Sequence, residues 1–183
     1  MKTAIVILGL SLLQCSCKDY STNSSPSTQG ITAHQMESSI TAYVNSYHAG
    51  LRLLSVSTKS IAFDGKASNW SYCYVDTAPG EHLTYYFHAN LSEVAFDSIA
   101  PLLTGPSVIT FRWFDSDSAM VFAELNGGSS YRIENSGTTI NASLGQALTP
   151  TSVTSWRITY QGGPIPLGLI IDAGSGNLLG RTK

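Results

Sequence analysis

Two short windows constrain this chain more than anything else in it. Asn69-Trp70-Ser71-Tyr72-Cys73-Tyr74-Val75 and Ser155-Trp156-Arg157-Ile158-Thr159-Tyr160-Gln161 both alternate large apolar with small or polar residues. That is the period of a half-buried β-strand. Their tryptophans stand 86 residues apart. Turn residues follow each window, Thr77-Ala78-Pro79-Gly80 and Gly162-Gly163-Pro164. A second apolar run comes next in both places, Leu83 to Ala89 and Leu167 to Ala173. Aligning His88 on Asp172 gives an offset of 84, which predicts one hairpin used twice with a two-residue indel.

The segments upstream carry the same order. Ile40, Val44, Tyr47, Leu51 and Leu54 form a 4, 3, 4, 3 stripe that predicts an amphipathic helix. Asp115-Ser116-Asp117-Ser118 offers N-cap side chains and negative charge where a second helix would start. Met120 to Leu125 carries that helix, Asn126-Gly127-Gly128 interrupts it, and Tyr131 to Glu134 adds a further turn. Ser60 to Phe63 and Thr139 to Leu144 are expected as strands leading into the two tryptophan strands. Val108 to Phe114 is expected as a strand joining the halves. The fold class predicted is α+β, with two tandem helix-plus-antiparallel-sheet (αβββ) repeats over about 34–105 and 106–183.

The N-terminus reads as an address. Met1-Lys2-Thr3 is a short basic segment, and Ala4 to Leu13 is an unbroken run of ten apolar or small residues. Ten is too few to span a bilayer, which takes roughly twenty, but suits the core of a signal peptide. Leu12-Leu13-Gln14-Cys15-Ser16-Cys17-Lys18-Asp19 resembles the lipobox of bacterial lipoproteins, in which a cysteine is acylated and becomes the mature N-terminus. Cys15 has the better residue at −3 (Leu12), Cys17 the smaller one at −1 (Ser16). Cys-Lys-Asp resembles lipoproteins of the Bacteroidota and their relatives, and the preferred reading is Cys17, with Cys15 as alternative. The expected organisation is a signal peptide over 1–16, a Ser/Thr/Asn-rich flexible tether over 17–33 and a folded unit over 34–183.

The second half, Asp115 to Leu179, resembles the PepSY-like module of exported bacterial proteins. The residues that carry the likeness are the DSDSAMVFAELNGG helix opening, the Trp156-x-Ile158-x-Tyr160 strand and the run Ile171-Asp172-Ala173-Gly174-Ser175-Gly176-Asn177-Leu178-Leu179. The resemblance implies a broadly cystatin-like unit, a helix packed on an antiparallel sheet, in an extracytoplasmic and non-enzymatic role. The partner expected is a peptide, a protease or an envelope protein.

Composition and motifs narrow the chemistry. Only 12% of residues are charged and the net charge is −2, so there is no basic surplus for nucleic acid. A 43% hydrophobic share excludes a disordered chain, and three cysteines exclude a disulfide scaffold. Asp115-x-Asp117 lacks the further carboxylates of a Ca²⁺ loop, so helix capping is the better reading. His34, His48, His82 and His88 form no zinc-binding pair at helical spacing. No cofactor, metal or catalytic residue is expected. Cys73 faces away from Trp70, Tyr72 and Tyr74, and is expected buried and unpaired if Cys17 is acylated. Gly174-Ser175-Gly176 is read as a hairpin turn, because the chain has no helix after it to complete a nucleotide loop. Tyr85, Tyr86 and Trp113 are the candidate binding aromatics, since neighbours in a strand point to opposite faces. The function expected is a lipid-anchored, non-catalytic binding protein of the cell envelope. The alternatives are a small envelope hydrolase of unrecognised type and a purely structural protein.

Overall fold

A computed structural model describes residues 29–78, 82–102, 107–110, 112–147 and 153–182. The expected signal segment 1–16, both candidate acylation sites Cys15 and Cys17, and the tether up to residue 28 lie outside the described residues. The order is α1 (Glu37–Tyr47), β1 (Arg52–Thr58), β2 (Asn69–Val75), β3 (Leu83–Asn90), β4 (Val94–Pro101), then α2 (Ser116–Ala123) and α3 (Ser129–Glu134), then β5 (Thr139–Ala147), β6 (Val153–Gln161), β7 (Leu167–Asp172) and β8 (Leu178–Thr182). All eight strands join one antiparallel sheet in the order β4-β3-β2-β1-β5-β6-β7-β8. The order therefore mirrors itself about the β1·β5 pair, where Ser57 stands opposite Ser143.

Alternation in the strands decides which side is covered. Trp70, Tyr72, Tyr74, Phe87, Leu144, Trp156, Ile158 and Tyr160 share the face on which the helices lie. Helix α1 buries Ile40 and Val44, and its Tyr43 and Tyr47 meet Phe87 edge-on. Helix α2 buries Ala119, Met120 and Ala123 beside β6 and β7. The tryptophans meet over the sheet centre, with Trp70 and Trp113 each edge-to-face on Trp156 at 6.1 and 5.7 Å. A buried indole needs a partner for its N–H. Trp70 Nε1 donates to Ile31 O and Trp156 Nε1 to Phe114 O, both at 2.9 Å, so each indole holds the chain that enters a helix.

Several expectations give way to the structure. The folded part starts before residue 34: Ile31 and Ala33 are fully buried, and Ile31 bridges Ala67. The apolar stripe of α1 stops at Tyr47, because Gly50 sits at φ +94° and turns the chain into β1, which takes Leu54. Ser60 to Phe63 is a loop outside any strand, in which Ile61 bridges Ala67 and donates from its backbone N–H to Ile140 O at 2.9 Å. The described part of 108–114 has no strand; it crosses the covered face, Ile109 donating to Leu53 O and Phe114 to Ala173 O. Among the described residues each half has four strands where three were expected, since β4 and β8 form the edges. Pairing also corrects the offset. Trp70 stands opposite Ala89 and Trp156 opposite Ile171, so the second hairpin strands correspond at 82 residues and His88 matches Ile170, not Asp172.

The entry to α2 is the best-defined joint. Asp115 caps the helix, its Oδ1 accepting from Ser116 N at 2.6 Å and from His34 N at 2.9 Å. Fully buried Ser116 donates from Oγ to Gly65 O at 2.7 Å and accepts from Ala33 N at 3.0 Å. Gly65 lies at φ +81°, and a Cβ there would stand 2.2 Å from Asp117 Cα, so only glycine fits. One hydroxyl thus ties the N-terminal segment, the 61–67 loop and α2 together. Ser116→Ala strands a buried N–H and C=O, and a loss of about 1–3 kcal/mol in urea unfolding is expected. An unchanged midpoint would contradict this.

Candidate functional site

The structure separates the three candidate aromatics. Tyr85 is 7% exposed and Trp113 6%, both within the apolar core. Tyr85 offers no free ring face there, being packed against His48 and Tyr47. Trp113 lies against His34 at 3.8 Å, and its edge lines a depression of about 660 Å³ with His34, Glu37 and Arg112. Tyr86 points to the opposite face, half-buried beside Cys73 and Ser98.

That opposite face has no helix against it among the described residues. Ser71, Ser57, Ser143 and Arg157 succeed one another across β2, β1, β5 and β6, directly opposite in the pairing. They border a depression of about 460 Å³ together with Lys59, Asn69, Asn141 and Thr159. No carboxylate among the described residues lines it. Small hydroxyl side chains in mid-sheet leave the hollow, and the longer Lys59 and Arg157 stand at its margin. Sequence reading passed over these residues. The signal available was the polar half of each alternating strand, weighed there only as the complement of the core.

At the β3–β4 end of the same face His88 acquires partners that the sequence did not reveal. Its Nδ1 donates to Asp97 Oδ1 at 2.6 Å, and Nε2 is 3.6 Å from Glu93 Oε1. Asp97 arrives because β4 bulges there: Tyr86 pairs with Ser98 and Phe87 with Phe96, leaving Asp97 as the extra residue. The Asp97 hydrogen bond raises the His88 pKa above its ordinary value, against a smaller desolvation effect. Ser71 stands directly opposite His88 on β2, and the two carboxylates fix the orientation of the imidazole.

Two further expectations concern local chemistry. Cys73 is a buried free thiol, and burial pushes its pKa up, hydrogen bonds with Tyr86 and Ser55 acting the other way. Asp172 closes the β7–β8 hairpin, its Oδ1 accepting from Gly174 N at 2.7 Å and Ser175 N at 3.0 Å, which lowers its pKa. Gly176 in that turn lies at φ +77°, and a Cβ would stand 2.4 Å from the Phe122 ring. Among the described residues no three His, Cys, Asp or Glu side chains gather as metal ligands. None of the helices described is long and apolar enough to cross a membrane.

The chain matches no protein-family model and no curated protein. Its fold is similar to the crystal structure of a candidate lipoprotein from Clostridium difficile 630, with a TM-score of 0.54 and 15% identity over 80% of this chain and 90% of that one. The class defined is an α+β protein in which helices cover one side of a single antiparallel sheet.

The His88–Asp97 pair gives a pH dependence of known sign. A histidine whose folded pKa is raised adds stability below its unfolded value near ~6.5, and that stability is lost as pH rises through the folded pKa. Asp97→Asn should therefore lower the urea midpoint more at about pH 5.5 than at about pH 8.5. An equal effect at both would contradict the pairing. Cys73 should resist alkylation in the folded protein and react once unfolded; fast native labelling would contradict its burial.

Proposed function

We propose that this chain is a lipid-anchored protein of the bacterial cell envelope whose α+β unit acts by binding rather than by catalysis. The observation that carries the reading is the open face of the sheet. Its centre is a polar hollow bordered by Lys59 and Arg157, with no helix over it among the described residues. The lipobox-like Leu12 to Lys18 supplies the anchor, at Cys17 or alternatively Cys15. Two or three acyl chains, at ~0.8 kcal/mol per buried CH₂, anchor a protein stably. The fold likeness to a candidate lipoprotein is in keeping with this, though the likeness itself is of fold.

The finer reading is a PepSY-like unit used twice. It is supported by the helix-then-four-strands order in each half, the mirrored sheet and the matching indole-to-carbonyl bonds. The partner in this reading is a peptide, a protease or another component of the envelope.

Labelled palmitate should enter the chain in the producing cell, and a Cys15→Ala/Cys17→Ala double substitution should abolish the label. Label retained by that variant contradicts the anchor. For binding, the full chain should capture an envelope component that Ser71→Trp, which fills the edge of the hollow, no longer captures. Equal capture by both contradicts a role for this face. A fluorophosphonate probe should leave the protein unlabelled; covalent labelling of Ser71, the cross-strand neighbour of His88, would move the account to a hydrolase.

A further inference from the structure

The hollow on the open face has a charge opposite to that of the protein around it. The chain carries 12 acidic and 10 basic residues. Yet the hollow is bordered by Lys59 and Arg157, with no carboxylate in its lining among the described residues. Neither cation is within ion-pair distance of a carboxylate among the described residues. Of the acidic side chains described on this face, Glu93 and Asp97 are gathered around His88 at the β3–β4 end, and Asp172, at the end of β7, turns its carboxylate to Gly174 N and Ser175 N. The hydroxyls of Ser57, Ser71 and Ser143 and the amide of Asn141 share the lining with these two cations. Sheet register fixes their spacing: Ser71, Ser57, Ser143 and Arg157 sit opposite one another on consecutive strands ~4.8 Å apart. A row of three hydroxyl groups at that interval, ended by a guanidinium and flanked by the Asn141 amide, presents donors and acceptors to a flat ligand rich in hydroxyls. Among the described residues the lining holds no aromatic ring and one apolar side chain, Ala142, which gives little to anchor a hydrophobic peptide residue. A hollow of about 460 Å³ is within the size range of small-ligand sites.

We infer that this hollow binds a polyhydroxylated anion, a sugar unit bearing a carboxylate or phosphate, with Arg157 and Lys59 holding the acid group and Ser57, Ser71, Ser143 and Asn141 the hydroxyls. The inference rests on the reading of the open face as a binding surface and adds the ligand class to it. An acid group gains a bidentate partner in Arg157, where a carboxylate can accept two parallel N–H bonds. The same sugar chemistry comes as a free sugar acid or as one unit of a charged polysaccharide.

The test is isothermal titration of the full-length protein in detergent with galacturonate, trigalacturonate, glucose 6-phosphate, neutral maltotriose and inorganic phosphate. Acidic sugars should bind and maltotriose should bind at least about tenfold more weakly. Affinity should fall with added salt. Arg157→Gln and Lys59→Gln should each cost about tenfold in affinity, and because both sites are exposed the thermal midpoint should stay put. His88→Gln should leave affinity unchanged. Trigalacturonate binding more tightly than galacturonate assigns the polysaccharide as source, and equal binding assigns the free acid. Equal affinity for maltotriose, equal affinity for inorganic phosphate, an unaffected Arg157→Gln/Lys59→Gln double variant, or no acidic sugar bound at about 10 mM would each overturn the inference. If acidic sugars fail while Ser71-dependent capture from envelope extract persists, the ligand class falls and the binding function stands. If both fail, both fall.

Discussion

The contact on which the rest of the molecule depends is the pairing of β1 with β5. Val56, Ser57 and Thr58 stand opposite Leu144, Ser143 and Ala142, and through those pairs two four-stranded halves become one sheet. So short a ladder is a weak joint by itself. It is reinforced on the covered side, where Val56 and Leu144 are buried next to Tyr72 and Trp156 and the indoles of Trp70 and Trp156 meet at 6.1 Å. Burying these large rings together favours the joined state through the apolar area removed from water. The indole N–H bonds to Ile31 and Phe114 then carry the constraint outward, fixing where the chain enters α1 and α2.

The same joint creates the site. Ser57 and Ser143 face each other on the other side of the ladder, and small side chains there leave a hollow that larger ones would fill. Neither half has the hollow alone: Lys59, Ser57 and Ser71 come from one, Asn141, Ser143 and Arg157 from the other. The charged groups of the face are sorted along the sheet. Cations border the joint, while Glu93 and Asp97 are held by His88 at the β3–β4 end and Asp172 by the backbone of the β7–β8 turn.

What could be read from the sequence follows from which signals are local. The tryptophan strands and the runs after them were legible because alternation of large and small side chains has one structural meaning over seven residues. The Asp115 cap and the break at Asn126-Gly127 were legible because their chemistry is specific to helix ends. Edge strands β4 and β8 were not: Asp97, Ser98 and Pro101 interrupt β4, and Gly180 with Arg181 gives β8 the composition of a polar tail. Val108 to Phe114 has the composition of a strand, but its described residues serve as a strap across the covered face. The aromatic candidates show the limit most plainly. Alternation said correctly that Tyr85 and Tyr86 face opposite ways, but not which face the helices would cover. The hollow was illegible because it joins residues that are 86 positions apart, such as Ser57 and Ser143, through pairing that no local pattern specifies.

Hydrogen exchange at the amides of β1 and β5 tests the central claim most directly. If the two halves form one unit through this joint, the slowest-exchanging amides of β2 and β6 and those of β1 and β5 should share one opening free energy, equal to that of global unfolding. Separate opening energies for the β1–β4 and β5–β8 halves, with β1 and β5 opening first, would contradict it.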